Sequence, residues 1–210
     1  MTEAAPVVLI VDDDQSFRTF LGRLVTTIGL KAILYASAEE FLAARPPDGP
    51  ACLVLDVQMP GLSGLDLQRE LARTGHLLPI VFTTGHGDIP MTVEAMKAGA
   101  VGFLTKPLRN QDLLDAVKEG ISIDREARQR REDVAELRKR YESLTARERE
   151  VFALVVTGSL NKQIALELGT TERTVKAHRG QMVQKMQADS VADLVRMADK
   201  LEFRHSSKSS

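Results

Sequence analysis

Tryptophan is absent from this chain, cysteine occurs once, and aromatic residues make up only 4% of it. A single cysteine excludes an internal disulfide framework. Cys52 lies inside an apolar run, where a small buried hydrophobe is the natural reading. No apolar run approaches the roughly 18 residues that a bilayer span requires. The beginning, Met1-Thr2-Glu3-Ala4-Ala5-Pro6, has no basic n-region and leads straight into a strand signal, so no signal peptide is expected. Together these absences predict a cytoplasmic protein with no membrane partner. An excess of charge of one sign is also missing, since 28 Lys and Arg meet 29 Asp and Glu for a net of −1. That balance hides an asymmetry. Residues 1–124 carry a net of −6, residues 125–142 a net of +2 and residues 143–210 a net of +3. An acidic first part suits a metal or phosphate site, and a mildly basic last part suits nucleic acid.

What is present is a series of short apolar runs that end in reactive side chains. Val7-Val8-Leu9-Ile10-Val11 ends in Asp12-Asp13-Asp14, and Ala51-Cys52-Leu53-Val54-Leu55 ends in Asp56. Ile80-Val81-Phe82-Thr83 ends at Thr84, and Gly102-Phe103-Leu104-Thr105 ends at Lys106-Pro107. Such runs read as parallel strands buried on both faces. Helical signals fall between them. The first helix has an apolar stripe at Phe17, Phe20, Leu21, Leu24, Val25 and Ile28. Ser37-Ala38-Glu39-Glu40 is a capping box, Leu65, Leu67 and Leu71 mark a third helix, and helices are predicted over 88–98 and 110–123. With a further strand over 31–35, five βα units predict an α/β fold, a doubly wound five-stranded parallel sheet of about 120 residues.

Open sheets of this kind bind ligands at the carboxyl ends of their strands. Carboxylates, a hydroxyl and an ammonium gathered there suit a hard divalent cation and phosphoryl chemistry on an aspartate. Mg²⁺ takes oxygen ligands, and Asp13 and Asp56 can each supply one. Clustered carboxylates repel one another, and a cation offsets that repulsion. Lys106 and the Thr84 hydroxyl would neutralise and hold the phosphoryl group, with Asp56 the nucleophile.

Residues 5–122 resemble the receiver domain of bacterial two-component response regulators. The resemblance rests on Val11-Asp12-Asp13-Asp14, Leu55 to Gly64, Thr84-Gly85-His86-Gly87-Asp88 and Phe103 to Pro107. It implies a CheY-like fold, Asp56 as phosphoacceptor and a sensor histidine kinase as donor. It also implies Mg²⁺ (or Mn²⁺) held by Asp13, Asp56 and the main-chain carbonyl of Gln58, with Asp12 acting mainly through water. A cis Lys106-Pro107 peptide would aim the ammonium at the phosphate. Thr84 and Phe103 would form the switch, and a homodimer would form on the face of the fourth helix, fifth strand and fifth helix. His86 and Gln58 would tune the lifetime of the acyl phosphate.

Residues 124–142 hold 13 charged side chains and neither Gly nor Pro, which predicts a solvated linker helix. Ile123, Ala127, Arg130, Val134, Leu137, Tyr141 and Leu144 step as a heptad seam, so both a monomeric helix and a short parallel coiled coil are open readings. Residues 143–204 carry only helix signals, with Thr145 to Glu148 a capping box and Gly158 and Gly169 as stops. A short helix, a Gly-Thr-Thr turn and a polar helix match helix-turn-helix spacing in an all-α, four-helix domain. Residues 205–210 are expected to be disordered.

The stretches 144–151, 161–165 and 174–179 resemble the LuxR-type DNA-binding domain, of which FixJ and NarL are examples. The resemblance implies that the helix from Thr171 enters the major groove of promoter DNA. Lys162, Lys176, Arg179 and Lys185 would meet phosphates and bases, Ala177 a thymine methyl, and Gln181 a base edge, because Gly180 offers no side chain. RNA polymerase is the further partner implied. The whole chain then reads as a phosphorylation-dependent transcription regulator. Its receiver spans 1–123, its linker 124–142 and its DNA-binding domain 143–204. Two rivals are an Asp-nucleophile phosphatase of the haloacid dehalogenase type, using Asp12 and Asp14, and a receiver that controls a protein-binding module. Apart from chemistry on its own Asp56, no enzymatic activity is expected.

Overall fold

Continuous apolar runs with no polar alternation need a sheet covered on both sides, and that is the arrangement found. The computed structural model describes residues 4–45, 47–85 and 89–201, in two compact units, Met1–Arg128 and Gln129–Ser210. In the first unit the strands are β1 (Val7–Val11), β2 (Lys31–Tyr35), β3 (Ala51–Asp56), β4 (Ile80–Thr84) and β5 (Gly102–Thr105). They form one parallel sheet in the order β2-β1-β3-β4-β5. The helices are α1 (Gln15–Thr26), α2 (Ala38–Ala43), α3 (Gly64–Arg73), α4 (Ile89–Lys97) and α5 (Asn110–Glu142).

Alternate residues along each strand serve different faces. Leu9, Leu53, Leu55 and Phe82 pack with Phe41, Leu67, Leu71 and Ala95, the side of α2, α3 and α4. Val8, Ile10, Val54 and Val81 pack with Leu21, Val25, Leu113 and Val117, the side of α1 and α5. The strand order reverses direction at β1 and β3, which places the ends of these two strands side by side at the switch point where such folds bind ligands.

The fifth helix departs from expectation. A helix over 110–123 followed by a linker helix is instead one helix of 33 residues. Asp124, the first residue of the expected linker, is 1% exposed and accepts a hydrogen bond from the Ala51 backbone N–H at 2.8 Å. Arg128 lies one turn on, pairs with Asp124 at 2.7 Å and donates to the carbonyls of Pro47 and Asp48. Gly120 brings the helix close to β3, since a Cβ there would stand 2.6 Å from the Cys52 sulfur. Burial, with Asp124 nearby, pushes the Cys52 thiol up to about 12. The first unit's packing therefore continues through Arg128, past the sequence-based boundary at 123.

In the second unit, α6 (Ala146–Val156), α7 (Asn161–Glu167), α8 (Glu172–Met186) and α9 (Val191–Lys200) follow the C-terminal part of α5. Their shared core holds Val151, Phe152, Ile164, Val175, Met182, Met186 and Leu194. Leu137 and Leu144 are buried in that same core, with Tyr141 packed against it. Three of the seven positions of the expected heptad seam thus serve the core of the second unit. Hydroxyls cap three of the four helix starts: Thr145 with Glu148 forms the capping box of α6, Thr171 caps α8 and Ser190 caps α9, whereas at α7 the Gln163 side chain accepts from the Leu160 backbone N–H. The expected disordered tail at 205–210 lies outside the described residues.

Candidate functional site

At the end of β1 the three successive aspartates are sorted into three roles. Asp14 faces solvent and caps α1, accepting from the backbone N–H groups of Ser16 at 2.8 Å and Phe17 at 3.0 Å. Those two bonds hold its carboxyl below the usual aspartate value. Asp12 is 1% exposed. Asp13 is exposed, and its carboxylate lies with those of Asp12 and Asp56 so that one oxygen from each falls within 4.8 Å of the others. Three hard oxygen donors at that spacing fit a divalent cation such as Mg²⁺ better than a soft metal.

Lys106 reaches this cluster from the end of β5. Its Nζ stands 2.8 Å from Asp12 Oδ2 and 2.9 Å from Asp56 Oδ2. Burial pushes the Asp12 carboxyl above its ordinary value, and the bond to Lys106 offsets this only in part. Burial pulls Lys106 down, but its bonds to Asp12 and Asp56 prevail and hold the ammonium above its ordinary value. The Lys106-Pro107 peptide is cis. The strand ladder continues into the site: Asp56 is level with Thr83, Thr84 is level with Thr105, and the Lys106 N–H donates to the Thr84 carbonyl at 2.7 Å. Thr84 is fully buried, and Phe103 is half-buried with its ring 6.1 Å from that of Phe82. Gln58 is exposed, and its backbone N–H donates to Asp56 Oδ1 at 3.3 Å. Gly64 packs against the same strand end, where a Cβ would meet the Asp56 carbonyl oxygen at 2.3 Å. His86 lies outside the described residues.

One residue of this site escaped the sequence reading. The ring of Phe17, in the first turn of α1, lies 4.2 Å from Lys106 Nζ, a cation–π contact. Phe17 reads from sequence as one more member of an apolar stripe, and only the fold brings it beneath an ammonium.

The helix-turn-helix face sorts the DNA candidates. Lys162, Lys176, Ala177 and Gln181 are exposed. Arg179 is half-buried and donates to Asn161 Oδ1 at 2.8 Å, tying α8 to the start of α7. Lys185 departs further from expectation. Its Nζ stands 2.7 Å from Glu148 Oε2, a carboxylate only 1% exposed, so its ammonium supports the α6 capping box. Arg173 and Gln184 are exposed on α8 at helical spacing from Lys176 and Gln181. The helical spacing along the chain is the signal that marks them.

A carboxylate cluster around one lysine at the point where the order of a parallel sheet reverses, joined to a helix-turn-helix, defines a phosphoacceptor protein with a DNA-binding output. Residues 8–118 match the response regulator receiver domain family, and residues 142–198 match the luxR family of bacterial regulatory proteins. Nodulation protein W of Bradyrhizobium diazoefficiens is 52% identical over 202 residues, covering 95% of this chain and 89% of that protein. The response regulator TmoT of Ectopseudomonas mendocina is 46% identical, covering 96% and 92%. Among solved structures, the response regulator StyR aligns with a TM-score of 0.84 at 48% identity, covering 94% of this chain and all of that one. Full-length FixJ of B. japonicum aligns at 0.57 and 35%, covering 97% and all of that chain. The chain belongs to the two-component response regulators with a LuxR-type DNA-binding domain, the FixJ-like kind.

It is accordingly a phosphorylation-dependent transcription regulator, with a histidine kinase and promoter DNA as the partners its two domains imply. The dehalogenase-type rival needs Asp14 as a second catalytic carboxylate, and Asp14 is the α1 cap. The protein-binding rival gives way to the luxR-family match. Among the described residues, no helix is long and apolar enough to cross a membrane.

Proposed function

We propose that Asp56 Oδ attacks the phosphorus of a phosphohistidine on the sensor kinase. The new O–P bond forms as the P–N bond breaks, and the electron pair of that bond stays on the ring nitrogen, so an imidazole already protonated on its other nitrogen leaves neutral. The observation that carries this reading is Lys106 bridging Asp56 and Asp12 at 2.9 and 2.8 Å, beside the carboxylate of Asp13. Asp13, Asp56 and the Gln58 carbonyl would hold Mg²⁺ (or Mn²⁺), with Asp12 acting through water. The bound cation supplies neutralisation of charge on the phosphoryl oxygens. Lys106 passes from the carboxylate of Asp56 to the phosphoryl group that replaces its charge. Thr84 turns its hydroxyl to the same group, and Phe103 moves into the space so freed.

The consequence is a homodimer on the face of α4, β5 and α5. Exposed Ile89, Val93 and Met96 on α4 support this reading, because they are apolar groups that a partner copy would cover. Two copies of α8 would then read a two-fold related promoter site, and contact with RNA polymerase would follow, in the cytoplasm. Lys162, Lys176, Ala177 and Gln181 would meet DNA directly. Arg179 and Lys185, engaged by Asn161 and Glu148, would act by positioning. The test is DNA footprinting of the full chain with and without beryllofluoride. Protection that is two-fold symmetric and dependent on beryllofluoride is expected. Equal protection in both conditions would overturn the proposal.

A further inference from the structure

Four glycines lie inside helices among the described residues, and three have a packing reason. An added Cβ would stand 3.1 Å from Leu34 at Gly22, 2.3 Å from the Asp56 carbonyl oxygen at Gly64, and 2.6 Å from the Cys52 sulfur at Gly120. The fourth, Gly180 in the middle of α8, is different. A Cβ there meets nothing within 4 Å, and Gly180 lies within the regular helix with no positive φ. Glycine in a helix interior is less stable than alanine, because it loses more backbone freedom on folding. The fold itself therefore gains nothing from Gly180 and is weakened by it.

The packing of the second unit gives no reason for Gly180, and its placement points to one outside the chain. Val175, Met182 and Met186 turn to the core, whereas Arg173, Lys176, Gly180, Gln181 and Gln184 are exposed on the rest of α8. Lys176 and Gln184 stand one helical turn to either side of Gly180. In a helix-turn-helix the exposed face of this helix lies in the major groove, where base edges are read. We infer that Gly180 is a specificity-determining residue. Its bare backbone admits the base-pair edges closer to α8 than any side chain would allow, and so brings Lys176 and Gln184 within reach of them. This inference rests on the DNA-binding reading of the second unit.

The test uses the full chain with beryllofluoride. A duplex is selected by the wild type from a random-sequence pool, and a shuffled duplex of equal composition serves as the non-specific probe. Gly180→Ala fills open space, so the second unit is expected to unfold about 2–6 °C higher. Its affinity for the selected duplex is expected to fall roughly tenfold, and for the shuffled duplex to stay within about twofold, as for the loss of one base-pair's recognition. Unchanged affinity for the selected duplex would overturn the inference. So would equal loss on both duplexes, which marks a phosphate contact, or an unfolding temperature no higher than wild type. Failure of the wild type to enrich any duplex is a separate result, and it would count against the DNA-binding reading itself.

Discussion

Both units bury a carboxylate and answer it with a lysine, but in different proportion. In the second unit Glu148 accepts from Lys185 at 2.7 Å and from the Thr145 backbone N–H at 2.8 Å, one cation for one anion. In the first unit a single ammonium, Lys106, is shared by Asp12 and Asp56, with Asp13 close by. A matched pair holds helices together and has little reason to change. A surplus of negative charge is costly in the resting protein, and a cation and a phosphoryl group relieve it when they bind. The same residue types thus build a girder in one unit and a reactive site in the other.

Breaking the site at its centre should give the largest effect. Asp56→Asn is expected to reduce incorporation of label from acetyl [³²P]phosphate to background. The receiver transition in calorimetry should not fall, because the substitution takes a like charge out of the cluster. Label retained at wild-type level would place the phosphoacceptor elsewhere.

The girder should respond in the opposite way. Glu148→Ala removes a cap and a pair whose lysine is partly exposed, and should cost the second unit about 2–3 kcal/mol. Urea denaturation followed by circular dichroism measures this, and Asp56 labelling should be unaffected. A loss under about 0.5 kcal/mol, an ordinary surface value, would erase the contrast.

A pH titration sharpens it further. Burial pushes Glu148 up, but Lys185 and the Thr145 backbone outweigh this, and its carboxyl sits below the ordinary 4.5. Its contribution is therefore complete above 4.5 and is lost as pH falls through the lowered folded value. The melting temperature of the second unit should drop in that acid window, and the drop should be smaller in Glu148→Gln.

The smallest effect belongs to the rim of the receiver site. Mg²⁺ should raise the receiver's melting temperature in the wild type, and chelation should reverse the gain. Asp13→Asn should remove most of that gain while raising the metal-free value by no more than about 3 °C. A full Mg²⁺ response in the variant would take Asp13 out of the cation set.

Much of this molecule is legible along the chain because the relevant physics is local. A strand buried on both faces needs an unbroken apolar run, as in Val7–Val11 and Ala51–Asp56. A helix start needs an acceptor within three residues, as at Ser37, Thr145, Thr171 and Ser190. The helix boundary at 123 could not be read this way. What carries α5 onward is Asp124 bonding to Ala51, 73 residues away in sequence. Lys185 misled for a similar reason: a lysine on a polar helix reads as free for DNA until Glu148 is found beneath it.

The sequence by itself determined the strand ends, and therefore that Asp12, Asp13, Asp56, Thr84 and Lys106 would gather at one edge of a parallel sheet. Only the tertiary structure decided their division of labour. It made Asp14 a cap, set Lys106 between two carboxylates and over Phe17, tied Arg179 to Asn161 and Lys185 to Glu148, and left Gly180 facing open space. Periodicity specifies which face a side chain occupies. The partner it meets there depends on distances between remote segments, which exist only once the chain has packed.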